Sequence, residues 1–172
     1  MEDMREQSIN NGTRIITKTV KSVDLSVRPF KVTVGNDVYE THSLIIATGA
    51  TAKKLDVPGV EKYWMRGISG CAVCDGALPI FQDKILAVIG GGDVAMEEAM
   101  YLSKFARKVI ILVRGTKETM KASKAMQERV FANPKIDIID NTELLEVGGE
   151  KLVTVLKVIN NKTQEVTEIG AG

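Results

Sequence analysis

Cysteine is scarce in this 172-residue chain: there are two, alongside one histidine, one tryptophan and an aromatic content of 5%. A secreted scaffold held by disulfides would carry more cysteines, spread along its length. A closed structural zinc site needs more ligands than Cys71 and Cys74 provide, and His42 lies far upstream, so no metal site is expected. Excess charge of one sign is also missing. Lys plus Arg number 23 against 22 Asp plus Glu, a formal net charge of +1, whereas a surface that tracks nucleic acid needs a clear basic excess. No apolar run approaches the ~20 residues that cross a bilayer. The opening Met1-Glu2-Asp3-Met4-Arg5-Glu6 lacks the apolar core of a secretory signal. The composition excludes a nucleic-acid binder, a membrane protein and a disulfide scaffold, and reads as a soluble, intracellular, globular protein. Hydrophobic residues at 44% suffice for a core without staples.

What is present divides the chain in two, with a boundary expected near residue 50. Residues 1–12 are polar and read as a frayed end. Short β-type runs follow at Arg14–Thr17, Val23–Leu25 and Phe30–Val34, and Gly35-Asn36-Asp37 supplies a turn into Val38-Tyr39-Glu40, a hairpin pattern. Leu44-Ile45-Ile46-Ala47 is a continuous apolar run ending at Thr48-Gly49-Ala50, which predicts a buried strand. Residues 51–70, with Pro58-Gly59 and Gly67, read as a linker. Tyr63 and Trp64 are expected to pack it, or to help dock a partner. His42 is read as structural.

From Lys84 onward strands and helices alternate. Lys84–Ile89 predicts a buried strand running into Gly90-Gly91-Gly92, and Asp93 is a candidate cap for the next helix. Along that helix Ala95, Ala99, Leu102 and Ala106 share one face, with Glu97, Glu98 and Lys104 away from it. Val109–Val113 predicts a second strand, Thr119–Phe131 a helix stopped by Asn133-Pro134, and Ile136–Ile139 a third strand. That order makes an α/β, Rossmann-like, doubly wound half of the mononucleotide-binding type, with helix and sheet layers. Leu152–Ile159, turning at Asn160-Asn161, predicts an antiparallel β excursion.

Two constellations carry chemistry. Gly90-Gly91-Gly92-Asp93-Val94-Ala95 fits G-x-G-x-x-A in the strand-to-helix context that gives the pattern meaning. Gly90 permits a tight turn, Gly92 lets a pyrophosphate approach the backbone, and Ala95 lets helix pack on strand, with the helix N-terminus facing the phosphates. A glycine-rich turn without a ligand is the plainer alternative. At the end of the next strand stands Val113-Arg114-Gly115, followed by Lys117, Lys121 and Lys124. A cation there suits a ribose 2′-phosphate better than the free hydroxyls of NAD, although the lysines equally suit a solvated helix start. The second constellation is Cys71-Ala72-Val73-Cys74-Asp75-Gly76. A dithiol at this spacing can close and reopen by exchange, and Asp75 could relay protons or simply serve the turn before Gly76. The alternative is two small apolar residues that happen to lie close together.

With Ile46-Ala47-Thr48-Gly49-Ala50, Arg66-Gly67-Ile68-Ser69 and Glu97-Glu98-Ala99 added to these two motifs, the chain from about Ser22 onward resembles the low-molecular-weight, NADPH-dependent thioredoxin reductases. Lys121–Gln127 is most similar to plant-type members, including plastid forms fused to a thioredoxin domain. The resemblance implies a β-rich piece of an FAD domain at 1–50 and an NADPH-binding domain carrying the CxxC at 51–172. It implies electron flow from NADPH to FAD, to the dithiol, to thioredoxin or a fused thioredoxin domain. Cys74 would face the flavin, Cys71 would attack thioredoxin, and Asp75 would relay protons. Gly90, Gly91, Gly92, Asp93, Val94, Arg114 and Lys121 would hold the nucleotide. Members usually carry a second arginine where Gly115 stands, and Lys121 matches their later basic position only across two extra residues, which weakens the expected preference for NADPH over NADH. No flavin-type glycine motif precedes residue 50, so the chain reads as an internal fragment of a homodimeric parent, cytoplasmic or plastid, binding NADPH without turnover. A standalone nucleotide-binding redox sensor, or an inactive domain, is the alternative.

Overall fold

The computed structural model of the chain describes residues 2–172. Two compact units are present, one ending at Ala50 and one spanning Thr51–Gly172.

The first unit opens with a helix, α1 (Glu2–Asn10), that buries none of its residues. The polar end is thus helical rather than frayed, with Glu2 and Asp3 in the first turn, where carboxylates favour the helix dipole. Three strands follow, β1 (Val20–Asp24), β2 (Phe30–Val34) and β3 (Asp37–Thr41), in an antiparallel meander of order β1-β2-β3. The β2–β3 hairpin forms as expected, with Val34 opposite Asp37 and Gly35 at φ 64°, a conformation that favours glycine at the first turn position. Two expected strands do not form. Arg14–Thr17 is irregular. Leu44–Ala47 is irregular too, with Ile45 and Ile46 at 89% and 72% exposure. An apolar run becomes a buried strand only when ladder partners and a cover are supplied, and among the described residues this one has no ladder partner. His42 is exposed.

The second unit is layered. Its centre is a parallel sheet of β4 (Ile85–Ile89), β5 (Lys108–Leu112) and β6 (Ile136–Ile139), in that order, with Ile85 level with Lys108 and Val109 with Ile136. Both faces are covered, which is why the strands read as continuous apolar runs. On one face Leu86, Val88, Val109, Ile111 and Val113 pack with Met96, Ala99 and Leu102 of α4 (Asp93–Leu102) and Val130 of α5 (Lys124–Phe131). On the other, Leu112 with Ala87 and Ile110 meets an antiparallel sheet of β7 (Thr142–Gly149), β8 (Val153–Asn160) and β9 (Val166–Gly170) through Val147, Val153, Leu156 and Val158. The predicted excursion therefore forms the third layer. Of the predicted helix face, Ala99, Leu102 and Ala106 are buried. Met96, at 0% exposure, belongs with them, and full burial of such a side chain stabilises the fold by roughly 1.5–3 kcal/mol.

Residues 51–70 are not a linker. They hold a short helix, α2 (Val60–Tyr63), whose Val60 and Tyr63 are buried in the second core. Val147 N–H donates to Pro58 O at 2.9 Å and Val153 N–H to Arg66 O at 3.2 Å, stitching the segment to the antiparallel sheet. Tyr63 Oη donates to Gly149 O. A Cβ on Gly59 would collide with the Val147 carbonyl. Polar spacing without periodicity hides such a segment, because its hydrogen bonds run to a distant sheet rather than along itself.

Candidate functional site

The carboxyl ends of β4 and β5 open side by side, the position where open parallel sheets bind ligands. Gly90 N–H donates to Leu112 O at 3.0 Å, extending the ladder one residue past β4, and the chain then turns with Gly90 at φ 140°. A Cβ on Gly90 would sit 3.5 Å from Ala95 Cβ, so the small residue at 95 lets helix and turn approach. Gly92 is the N-cap of α4, at φ −99° and ψ 176°, and nothing lies within 4 Å of where its Cβ would be. The turn is therefore open on that side, above the unpaired first amides of the helix. Val94 is 68% exposed.

Asp93 does not cap α4. Gly92 holds that place, and the Asp93 carboxylate accepts Ser123 N–H at 2.7 Å through Oδ1. Lys121 and Ala122 N–H both donate to Gly91 O, at 2.9 and 3.1 Å. These three amides are turned toward the glycine turn instead of back along a helix, which is why α5 begins at Lys124 and not at Thr119. A 3₁₀ turn, Lys117–Thr119, precedes this non-helical stretch.

Arg114 and Lys121 are exposed and stand at opposite ends of the loop leaving β5. The Arg114 carbonyl accepts Asn161 Nδ2 at 2.8 Å and the Gly115 carbonyl accepts Asn141 N–H at 2.7 Å, so the start of the loop is anchored. A Cβ on Gly115 would collide with Thr119 Oγ1. That hydroxyl accepts from Thr116 N–H at 2.8 Å and donates to Thr116 O at 3.0 Å. Glycine suits this folded-back loop, since any side chain at 115 would displace the Thr119 hydroxyl that closes it. Within the loop, the Thr116 hydroxyl, helped by a backbone N–H, holds the exposed Glu118 carboxyl below its ordinary value.

The cysteines form a disulfide, Cys71–Cys74, with Cα atoms 5.3 Å apart. Cys71 caps the short helix α3 (Ala72–Asp75), its Sγ accepting Cys74 N–H at 3.2 Å. Cys74 is exposed and Asp75 half-buried. Ser69 Oγ donates to Asp75 Oδ2 at 2.6 Å and accepts Cys71 N–H at 3.0 Å. From α4, Glu98 Oε1 accepts Ala72 N–H at 3.3 Å, tying α4 to the disulfide-bearing α3. Sequence reasoning passed over Ser69 and Glu98 as site residues. The available signal was their presence in the Arg66–Ser69 and Glu97–Ala99 motifs, which carry the resemblance but assign neither residue a role; Glu98 falls outside the apolar stripe because it faces a cleft.

That cleft has a volume of about 470 Å³ and runs from Gly90, Gly92 and Val94 to Ser69, Ala72 and Glu98. Between its two ends the wall is largely apolar, with Trp64, Phe81, Leu86 and Leu102 among its side chains. Arg114, Lys121, the two cysteines and Asp75 lie outside its wall. Among the described residues no group of three His, Cys, Asp or Glu side chains is placed to hold a metal, and no helix is long and apolar enough to cross a membrane.

The model of the family described as "Pyridine nucleotide-disulphide oxidoreductase" matches residues 2–171. The chain belongs to that family. Curated members of similar sequence include the thioredoxin reductase of Dictyostelium discoideum, 51% identical over 99% of this chain, and thioredoxin reductase 1 of Saccharomyces cerevisiae, 52% identical over 98%. Among solved structures, the thioredoxin reductases of Giardia duodenalis and Lactococcus lactis align over 99% of this chain, with TM-scores of 0.82 and 0.78 and identities of 40% and 38%. The resemblance read from the motifs, and the fold class with it, are borne out by these comparisons. The chain spans about half, 54%, of the length of the two curated relatives and 55% of the two solved chains.

Proposed function

We propose that this chain is the nucleotide- and dithiol-bearing part of a longer NADPH-dependent, flavin-linked thioredoxin reductase. One observation carries the reading: a single cleft connects an open glycine turn at a helix N-terminus with the backbone of a disulfide-bearing helix. The residues fit NADPH. Gly92 leaves free the volume its Cβ would fill, the amides of α4 face an anion, and Arg114 and Lys121 flank the ribose position with positive charge. FAD is part of the reading, but the glycine-rich strand–turn–helix occurs once among the described residues, at 90–95, so other parts of the longer protein would hold most of it. The exposed Ile45 and Ile46 give the N-terminal unit apolar surface to bury there, or against a second copy in a homodimer. A reducing compartment, the cytoplasm in the simplest case, suits a dithiol that must reopen each cycle.

When bound, NADPH supplies a hydride whose electron pair reaches the disulfide by way of the flavin. The Cys71–Cys74 bond then takes up two electrons and two protons and opens to two thiols. Asp75, held by Ser69, delivers and removes the proton. The Cys74 N–H directed at Cys71 Sγ favours negative charge on that sulfur, so Cys71 attacks the disulfide of thioredoxin and forms a mixed disulfide. Cys74 then displaces it, restoring the 71–74 bond and releasing the reduced partner. Calorimetric titration with NADPH and NADH tests the nucleotide half of the proposal. NADPH is expected to bind more tightly, and equal affinity would refute the assignment of Arg114 and Lys121. The 172-residue chain mixed with NADPH, FAD, thioredoxin and a chromogenic disulfide should show no steady NADPH consumption; sustained turnover would refute its being only part of the enzyme.

A further inference from the structure

We infer that Asp93 is a positioning residue for coenzyme selection, holding the 120–123 segment on the glycine turn so that Lys121 meets a ribose 2′-phosphate. The inference rests on the reading of that turn as the NADPH cradle. An aspartate beside a phosphate site is electrostatically unfavourable unless its lone pairs serve another purpose. Here helix capping is not that purpose, because Gly92 is the cap and the Asp93 side chain accepts Ser123 N–H at 2.7 Å. The preceding amides, of Lys121 and Ala122, share the Gly91 carbonyl. Met120 closes against the same glycine, since a Cβ on Gly91 would lie 3.2 Å from Met120 Cγ. The loop from Arg114 to Lys121 is thus tied at both ends, by Asn161 and Asn141 at its start and by Gly91 and Asp93 at its close. Of its three cations, Arg114, Lys117 and Lys121, Lys121 has its backbone fixed on the glycine turn, even though the loop carries Gly115 in place of a second arginine. Lysine is a flexible point charge, so what it reads depends on where its backbone is pinned. Gln127 Nε2 braces the Met120 and Ala122 carbonyls from α5, at 3.4 and 2.7 Å, and Asp93 supplies the side-chain tie from the glycine turn itself.

The test is calorimetric titration of the 172-residue chain and three variants with NADPH and NADH. Asp93→Ala removes the acceptor. Asp93→Asn keeps an acceptor oxygen and removes the charge. Ser123→Pro removes the donor from the opposite side; Ser123 sits at φ −58° and ψ 146° with no side-chain capping bond, a backbone proline can adopt. Asp93→Ala and Ser123→Pro are each expected to lower the NADPH-over-NADH preference by roughly five-fold, Asp93→Asn to keep it, and Asp93→Ala to add nothing in a Lys121→Ala background. The inference is overturned if Asp93→Ala and Ser123→Pro retain the preference, or if both nucleotides weaken in proportion, the mark of general damage. It is also overturned if Asp93→Asn acts like Asp93→Ala while Ser123→Pro is silent, the mark of a charge effect. Wild-type chain that binds both nucleotides equally would sink this inference and leave the cradle standing; binding of neither would sink both.

Discussion

Gly90 and Gly92 sit two residues apart in the same turn, yet alanine at each should do opposite things. At Gly92 the backbone is at φ −99° and ψ 176° with open space where the Cβ would go. Alanine there reduces unfolded-chain entropy, a gain of about 0.4–1 kcal/mol, and replaces a tolerated N-cap by a poor one at a cost of about 1 kcal/mol or less. The unliganded melting temperature should move by less than about 4 °C. On the proposed NADPH reading, however, its methyl group would occupy the approach path of the pyrophosphate. Thermal unfolding with and without NADPH reads both effects. Ligand at about 100 times Kd stabilises by about 2.7 kcal/mol, and a ten-fold loss of affinity cuts that to about 1.4 kcal/mol. Gly92→Ala should therefore lose about half or more of the ligand-induced shift while melting normally without ligand. Gly90→Ala, forced into φ 140°, should instead melt early without ligand, from strain of about 1–3 kcal/mol. A Gly92→Ala protein with the full ligand shift would mean that no phosphate passes close to residue 92, and the cradle argument would fail.

Three other outcomes are expected. Cys74→Ser should leave Cys71 able to trap an oxidised thioredoxin as a lasting mixed disulfide, visible by mass spectrometry, whereas Cys71→Ser should not; the reverse pattern would exchange the two sulfur roles. The preference for NADPH over NADH should shrink as pH falls from about 7.5 to about 5, because the second ionisation of a phosphomonoester lies near 6. Glu118 does not produce this change: its depressed carboxyl stays ionised throughout that window and loses its charge only below it. A calorimetric ratio flat in pH would remove the 2′-phosphate from the argument. Tyr63→Phe should lower stability by about 1–3 kcal/mol, because the Gly149 carbonyl loses its buried donor; an unchanged melting temperature would return residues 51–70 to the status of a linker.

The strands β4, β5 and β6 and the helix α4 were legible because each is long enough to show its period and bounded by glycine, proline or asparagine. The antiparallel layer was legible from Leu152–Ile159 and its Asn160-Asn161 turn. What failed had non-local causes. Leu44–Ala47 carries a strand's composition, but a strand exists only with a neighbour to pair, and composition cannot say whether one is present. The start of α5 was misplaced because three amides at 121–123 answer to Gly91 and Asp93, some thirty residues earlier. For the same reason Asp93 was assigned to its own helix rather than to its true partner. At the candidate site the motifs located the turn and the disulfide, and the resemblance supplied roles for Asp75 and both sulfurs. Ser69 and Glu98 stood in the motifs that carry the resemblance, but their contacts with Asp75, Cys71 and Ala72 emerged only from geometry.

Three consecutive amides, those of Lys121, Ala122 and Ser123, are hydrogen-bonded to the glycine turn although their loop faces solvent at Lys121 and Ser123. Such groups should trade hydrogen for deuterium far more slowly than the rest of that loop, at a rate set by how often the contact with Gly91 and Asp93 breaks. The interval from Met120 to Lys124 is therefore a built-in gauge, readable amide by amide, of how firmly this loop grips the glycine turn.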